Sequence, residues 1–274
     1  MQVDTAVPAA ARSGRAPTWD IGTDTLLWVD PPTRSAHRFV PGRTDHAMEL
    51  PQEVSAAKPR SHGGLVLHLT EGIAVFDSTG SHRNWLVYWA RDGVQAGATA
   101  VDAKGRLWAT TLGEGGWLTR VTGDGRASIA LQDLTAGNGL AWSPNNTRLY
   151  LADGATRRID VLDFDLENGT LGDRSTLCEV DGEPGGLCVD TDGRIWTAIR
   201  DRGEIRSYTA EGALDRTIPV PAHRPTDCCF GGPDLTHLYI TSATDEVTNP
   251  TEADGAVLIV RNLGQGLRPY SFAG

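Results

Sequence analysis

The chain repeats one strand–turn–strand unit, and this repeat constrains the fold more than any other feature of the sequence. Each copy consists of a β-rich segment, a polar turn with Gly or Asn, and a second β-rich segment. The copies are "TWDIGTDTLLWVD" (18–30), a weaker "RSHGGLVLHL" (60–69), "AVDAKGRLWATT" (100–111), "AWSPNNTRLYLAD" (141–153), "CVDTDGRIWTAI" (188–199) and "CFGGPDLTHLYITSA" (229–243). Internal repeats of 20–50 residues are typical of solenoids and propellers.

The spacing of the copies is nearly constant. One aromatic or apolar residue early in each second strand marks its position: Trp28, Val66, Trp108, Tyr150, Trp196 and Tyr239. Successive markers are 38, 42, 42, 46 and 43 residues apart. This period is close to that of a propeller blade.

Each copy continues into a third strand, such as "GIAVF" or "EIRSY", and leaves enough residues before the next copy for a fourth. Four antiparallel strands make one propeller blade. We therefore predict an all-β fold, a six-bladed β-propeller with four antiparallel strands per blade. Residues 13–274 would form this single domain, after a flexible N-terminal segment at 1–12.

Charge and hydropathy argue against several kinds of partner. The formal net charge is −10, and no basic run exceeds a dipeptide, whereas nucleic-acid binding requires Lys and Arg to neutralise phosphates. There is no apolar run long enough for a membrane span, and the N-terminus lacks the apolar core of a signal peptide. We expect a cytoplasmic monomer that binds neither nucleic acid nor membrane and acts on a small molecule.

The four cysteines show neither metal-site nor redox-motif spacing. Cys178, Cys188, Cys228 and Cys229 form no C-x-x-C pair and have no His at zinc spacing. We interpret them as reduced, buried, small apolar side chains.

A propeller places its ligands at the mouth of a central channel lined by the inner strand of each blade. The residues that open the inner strands are predicted to be Arg15, the segment 58–60, Gly97, Asn138, Gly185 and Thr226. A pocket of converging loops on one axis is the default binding site.

Five segments in this order resemble the regucalcin/gluconolactonase family, which includes senescence marker protein and luciferin-regenerating enzyme. The segments are "APTWDIGTDTLLWVD", "VDAKGRLWATT", "GNGLAWSPNNTRLYLAD", "GLCVDTDGRIWTA" and "CCFGGPDLTHLYITSA". The resemblance spans residues 13–274. It implies a six-bladed propeller and a lactonase-like hydrolase activity that uses one divalent metal in the channel.

The resemblance also implies three metal ligands, and this sequence keeps one of them. The family has Glu in "E-G-P-x-W", Asn in "N-G-L-A-W" and Asp in "P-D-G-L". Here "GRAPTW" places Arg15 at the first position, "NGLAW" keeps Asn138, and "EPGGL" places Gly185 at the third. One neutral amide does not supply the several oxygen ligands that a hard cation needs, so we predict no metal and no other cofactor.

The candidate catalytic residues are Arg15, Asn138, Asp227 and Glu114. Arg15 is interpreted either as a cation that binds an anion or oxyanion or as a surface arginine. Asn138 is either a hydrogen-bonding group in the channel or a turn residue. Asp227 is either a general base or a solvated turn residue, and Glu114 matches an acidic substrate-contacting position of the family.

The candidate substrate-binding residues lie in loops or inner strands that could face the same mouth. They are Arg60, His62, Trp89, Gly97, Trp117, Gly185 and His223. If Trp89 and Trp117 form an apolar wall, the ligand is less polar than a sugar acid.

These residues point to an enzyme that acts on a small carbonyl or lactone-type metabolite in the central channel without the family's divalent metal. Hydrolysis, cyclisation and isomerisation all fit this site. One alternative is a non-catalytic propeller that binds a small ligand. Another is a lactonase with a rearranged site for Ca, Mg, Mn or Zn, whose ligands would come from other carboxylates.

Overall fold

The structure of the protein is a computed structural model, and it describes residues 2–78, 83–91 and 93–274. The strands form antiparallel sheets in sequence order. The first sheet contains β2 (Arg15–Asp20), β3 (Thr25–Asp30), β4 (Ser35–Phe39) and β5 (Asp45–Glu49). The second contains β6 (Val54–Pro59), β7 (Leu65–Leu69), β8 (Gly72–Phe76) and β9 (Arg83–Tyr88).

The third sheet is larger than the others. It contains β10 (Gln95–Val101), β11 (Leu107–Val121), β12 (Ala127–Trp142), β13 (Arg148–Asp153), β14 (Arg158–Asp165) and β15 (Thr170–Glu179). The fourth contains β16 (Pro184–Val189), β17 (Ile195–Ile199), β18 (Glu204–Tyr208) and β19 (Leu214–Pro219). Two short 3₁₀ helices, Pro31–Thr33 and Pro233–Leu235, lie in the hairpin turns of the first and last sheets.

The last sheet closes the molecule with strands from both ends of the chain. Its order is β1 (Val3–Val7), β22 (Val257–Val260), β21 (His237–Ser242) and β20 (Pro225–Gly231). β1 pairs antiparallel with β22, with Val3 opposite Val260. The segment 1–12, expected to be flexible, therefore contributes the outer strand of this sheet.

The prediction of six four-stranded blades is wrong, because the described residues form an all-β propeller of five antiparallel sheets. The third and fourth sequence repeats share one six-stranded sheet, in which β11 has 15 residues and β12 has 16. Register shifts between Leu112 and Thr119 let the β11–β12 pairing bend without ending. Such bulges re-aim a strand while the ladder continues.

The periodic aromatic residues lie in the core. Trp28, Trp108 and Trp196 are all at most 2% exposed. The indole Nε1 of Trp108 donates to Asp102 Oδ2 at 2.9 Å, and that of Trp196 donates to Asp190 Oδ2 at 2.9 Å. These bonds satisfy a buried donor on each large apolar ring.

Six inner strands form a closed ring in which each contacts the next. They are β2, β6, β10, β12, β16 and β20. All six run in the same direction, so that their first residues meet at one end of the ring and their last residues at the other. No helix in the described residues is long and apolar enough to cross a membrane.

Candidate functional site

The first residues of the inner strands surround a small cavity of about 40 Å³, called the near cavity here. It is lined by Arg15, Ala16, Ser55, Gly97, Ala98, Leu112, Asn138, Gly185, Gly186, Arg200, Thr226 and Asp227. The structure thus brings together five predicted opening residues, which are Arg15, Gly97, Asn138, Gly185 and Thr226. Their roles in catalysis or binding stay predictions.

The opening of the second inner strand differs from the prediction. The sequence placed it at 58–60, but β6 begins at Val54, so Ser55 lies at the near cavity and Lys58 lies deeper. The repeat is weakest in this copy, and the predicted opening falls at the end of β6 instead of at its start.

Arg15 is a partly buried cation of the near cavity. Its Nη2 donates to Ser13 Oγ at 2.6 Å, while its Nε is buried and makes no hydrogen bond in the described part of the chain. Burial lowers the pKa of Arg15, and the positive charge of Arg200 lowers it further. An arginine still stays charged at neutral pH, so this cavity holds a cation with a free donor.

Arg200 is a second arginine at this cavity, and the sequence analysis missed it. Its Nη1 donates to Glu183 Oε1 at 3.0 Å, and its Nε is also buried without a partner among the described residues. Burial lowers the pKa of Arg200, and Glu183 acts in the opposite direction. The signal in the sequence was an arginine directly after the apolar strand "IWTAI".

Asn138 is held in place by the neighbouring inner strand. Its Nδ2 donates to the carbonyl oxygen of Pro184 at 3.1 Å. Gly154 leaves space for this amide, because a Cβ there would lie 2.3 Å from Asn138 Nδ2. The amide oxygen of Asn138 can still accept a hydrogen bond.

Asp227 lies between the near cavity and a larger cavity beyond it, and contacts both. Its Oδ2 accepts from the backbone N–H of Ala16 at 3.1 Å, and its Oδ1 accepts from that of Cys228 at 2.7 Å. Burial raises the pKa of Asp227 to about 7, although Lys58 and Arg15 lower it. A carboxyl with this pKa is partly ionised at neutral pH and can both take and give a proton.

Lys58 faces Asp227 from the second inner strand, and the sequence analysis did not name it as a site residue. It is 9% exposed, and the single hydrogen bond of its Nζ in the described residues is to Thr18 Oγ1. Burial lowers the pKa of Lys58, while Asp227 raises it. Its signal in the sequence was a charged residue inside the strand "VSAAKP", whose other residues are apolar or small.

The larger cavity, called the far cavity here, has a volume of about 400 Å³ and continues along the inner strands away from Arg15. Its walls are mostly apolar and include Pro17, Ala100, Leu140, Leu187 and Val189. Its outer rim is formed by the turn after β12 and by the C-terminal segment 267–270. Lys58, Asn138 and Asp227 supply polar groups at its inner end.

Three predicted site residues near β11 do not line either cavity. Glu114 is exposed in the bulged part of β11, between two glycines with positive φ. Trp89 and Trp117 pack edge to face with ring centroids 6.0 Å apart, and Trp89 also contacts His68. These indoles pack against each other and the core.

Three further candidates, Arg60, His62 and His223, make contacts elsewhere. Arg60 donates from Nε to the carbonyl oxygen of Gly274 at 2.6 Å and so holds the C-terminus. His62 is exposed and bonds Ser61. His223 Nδ1 lies 2.8 Å from Asp254 Oδ2 in a loop pair outside both cavities.

The cysteines are all free thiols, and Cys178 lies apart from the other three. Cys188, Cys228 and Cys229 line the far cavity. The Sγ atoms of Cys188 and Cys228 are 3.8 Å apart. Burial raises the pKa of Cys188 and Cys229 well above that of a free thiol, so these side chains are neutral.

A closed ring of six inner strands, with antiparallel sheets around it, is the architecture of a propeller. The sequence pattern of the SMP-30/Gluconolactonase/LRE-like region matches residues 13–244. The chain belongs to this family.

Two relatives illustrate the similarity in sequence. Regucalcin of Gallus gallus is 29% identical over 286 residues, which cover 96% of this chain and 95% of the relative. The 6-deoxy-6-sulfogluconolactonase of Pseudomonas putida is 31% identical over 277 residues, which cover 95% of both chains.

Two solved structures share the fold. A luciferin-regenerating enzyme superposes with a TM-score of 0.94 at 24% identity, covering 100% of this chain and 99% of that one. Regucalcin from Agrobacterium tumefaciens, described as a calcium-binding protein, gives 0.93 at 21% identity, covering 100% and 98%.

The residues at the family's metal position do not fit a hard cation. Arg15 supplies a guanidinium, which has donors and no acceptor, and Gly185 supplies no side chain. A Cβ at Gly185 would lie 2.2 Å from the carbonyl oxygen of Thr226, so the backbone is packed against this position. Within the described ranges, no group of three or more His, Cys, Asp or Glu could hold a metal ion.

Proposed function

We propose that this chain is a lactonase-family enzyme that acts on a small carbonyl or lactone-type metabolite in its central channel without a divalent metal. The observation that carries the proposal is Asp227, a partly buried carboxyl with a pKa of about 7 that interacts electrostatically with two cationic side chains, Lys58 and Arg15. Perturbed titratable groups of this kind are concentrated at catalytic sites.

Lys58 and Arg15 would stabilise the negative charge that develops on a carbonyl oxygen. Both keep donor capacity, since Nζ of Lys58 makes one hydrogen bond and Nε of Arg15 makes none among the described residues. Preorganised donors in a site with little water stabilise an oxyanion without reorganisation. They would thereby replace the polarising role that a metal has in the family.

Asp227 would move the proton. In hydrolysis, its carboxylate takes a proton from the attacking water as the water oxygen bonds to the carbonyl carbon. The ring C–O bond then breaks, and the ring oxygen receives the proton from Asp227. In isomerisation, the same carboxylate would take the proton from a carbon next to the carbonyl and return it to another atom of the substrate. In cyclisation to a lactone, it would take the proton of the hydroxyl that attacks the carbonyl carbon and give it to the leaving oxygen.

The relatives support the lactone-type substrate class. One of them is named a sulfogluconolactonase, and it aligns over 95% of this chain. The fold alone would not support a lactone-type substrate, since propellers host many functions. The buried Asp227–Lys58 pair is the additional support that this chain itself provides.

A lactone-hydrolysis screen with and without EDTA tests the proposal. We expect turnover that EDTA does not change, that falls at least about 100-fold in Arg15→Ala and in Asp227→Asn, and that persists in Arg12→Ala. Arg12 is a suitable control because it is exposed and pairs with Asp245. Turnover lost with EDTA would favour a lactonase with a rearranged metal site, and binding of lactones without turnover would favour a non-catalytic ligand-binding propeller.

A further inference from the structure

We propose that the far cavity binds the body of a largely apolar carbonyl compound, such as an alkyl or aromatic lactone or ketone, whose carbonyl oxygen bonds to Lys58. This inference deepens the proposed function and rests on it for the chemistry, but not for the binding. It names a different substrate class from the polyhydroxylated sugar lactones.

Size is the first argument. Ligand pockets for small molecules commonly enclose about 300–1,000 Å³. The far cavity has about 400 Å³, whereas the near cavity has about 40 Å³. A six-membered ring therefore fits only on the far side of Asp227.

The chemistry of the walls is the second argument. The far cavity is lined by alanine, leucine, valine and proline side chains with Trp142 and Phe230, and its polar lining includes Thr18, Thr99, Ser143, Asn146 and Arg268. The hydroxyls of Thr18 and Thr99 are already engaged by Lys58 and His68. A sugar lactone would place several hydroxyl groups against the apolar side chains, and a buried polar group without a partner is unfavourable. An apolar ring loses nothing there and gains contact area.

The polar end is the third argument. Lys58 and Asp227 line the far cavity at its inner end, where Asn138 also lies. An ammonium group has three donors, and Nζ of Lys58 uses one of them on Thr18 Oγ1. A single carbonyl oxygen on an otherwise apolar molecule matches this arrangement.

The route of entry follows from the rim. The far cavity opens between the turn at 143–146 and the C-terminal segment 267–270, at the end of the inner strands remote from Arg15. Tyr270 on this rim is 39% exposed. The ligand would therefore enter from the face opposite to the family's metal position.

Calorimetric binding of α-tetralone to the full chain tests the inference without any dependence on turnover, since this bicyclic ketone has no ester bond. Tetralin, which has the same shape but no carbonyl, reports on the contribution of Lys58. Ala100→Phe fills the cavity from a partly exposed position on β10. Ala127→Phe makes the same change on the exposed start of β12 and is the matched control.

We expect α-tetralone to bind the wild type and Ala127→Phe equally, and Ala100→Phe at least about tenfold more weakly. Lys58→Met should weaken the binding of α-tetralone by a similar factor and leave the binding of tetralin unchanged. Failure of the wild type to bind α-tetralone, or equal binding by a folded Ala100→Phe, would overturn the inference. If circular dichroism shows that Ala100→Phe is unfolded, Ala100→Leu with an intermediate loss replaces it.

Turnover separates this inference from the proposed function. Binding of α-tetralone without hydrolysis of 3,4-dihydroisocoumarin, the lactone with the same ring skeleton and the same carbonyl position, would contradict the proposed enzyme and keep the far cavity as a binding site. A second outcome is that the wild type and Ala100→Phe hydrolyse glucono-1,5-lactone at the same rate. This result would support the proposed enzyme, but it would overturn the far cavity as the substrate site.

Discussion

The carboxylate of Asp227 occupies the space that a side chain on Gly186 would fill. A Cβ built on Gly186 would lie 1.7 Å from Asp227 Oδ1 and 1.8 Å from its Cγ. The glycine of one inner strand therefore lets the neighbouring inner strand place a buried carboxyl on the axis. Gly185, where the family has a carboxylate, carries none, so the acid at this site comes from β20 instead of β16.

Gly186→Ala should displace Asp227 from its position. The added methyl overlaps the carboxylate, and overpacking of this kind costs about 1–3 kcal/mol. We expect a lower midpoint in urea unfolding and a loss of the proposed turnover. Gly264→Ala is the control, because a Cβ there meets no atom within 4 Å, and its stability should match the wild type. Equal stability of both variants would contradict the packing described here.

Asp227 should make the protein less stable as pH rises. Its pKa is about 7 in the folded protein and 3.8 without the fold. Between about pH 4 and 7 the folded state keeps a proton that the unfolded state has lost, so the free energy of unfolding falls with rising pH. The slope approaches about 1.4 kcal/mol per pH unit.

Asp227→Asn removes this titration, and urea unfolding from pH 4.5 to 8 measures it. The wild-type free energy of unfolding minus that of Asp227→Asn should fall across the window and level off above pH 7. Asp181→Asn, on an exposed ion pair with Arg202, should show no such trend. A difference that rises with pH would mean that the folded protein stabilises the ionised carboxylate.

Much of the fold was predictable from the repeat, because each copy buries its aromatic or apolar marker residue. The way the strands divide into sheets was not predictable. Whether neighbouring repeats share hydrogen bonds depends on where β11 and β12 bend, and bulges such as that between Leu112 and Gly116 leave no clear mark in the sequence. This is why six separate blades were expected and five sheets are found.

The candidate site was predictable where residues open an inner strand. Arg15, Asn138 and Gly185 were aligned by the repeat and do converge. Lys58 was not chosen as a site residue because the second repeat was placed out of register. Arg200 was not chosen because it directly follows β17, outside the inner strands. Trp89 and Trp117 were expected at a pocket wall, but they lie outside the two axial cavities.

Restoring the family's acidic residues should not restore a metal site. Arg15→Glu together with Gly185→Asp supplies two carboxylates, but any Cβ at 185 lies 2.2 Å from the Thr226 carbonyl oxygen. We expect the double variant to be destabilised relative to Arg15→Glu alone, which separates the backbone clash from the charge change. Calorimetric titration with Ca²⁺ and Mn²⁺ should show no tight single site, and a folded double variant with such a site would contradict this prediction.

His68 should impose the opposite pH dependence to Asp227. It is 1% exposed, its Nδ1 lies 2.8 Å from Thr99 Oγ1, and its Nε2 has no partner among the described residues. Burial lowers its pKa from 6.5 to about 3. Between these values the unfolded state binds a proton that the folded state does not, so stability is lost as pH falls below about 6.5.

His68→Asn removes this titration and keeps a short polar side chain toward Thr99. The wild-type free energy of unfolding minus that of His68→Asn should decrease as pH falls from 7 to 4.5, while His46→Asn, at an exposed position, should leave the difference flat. In the wild type, His68 and Asp227 change the free energy of unfolding with pH in opposite directions between pH 4 and 6.5, so their contributions partly cancel. A flat wild-type profile is therefore compatible with both shifts, and only the two single variants measured over the same pH range resolve them.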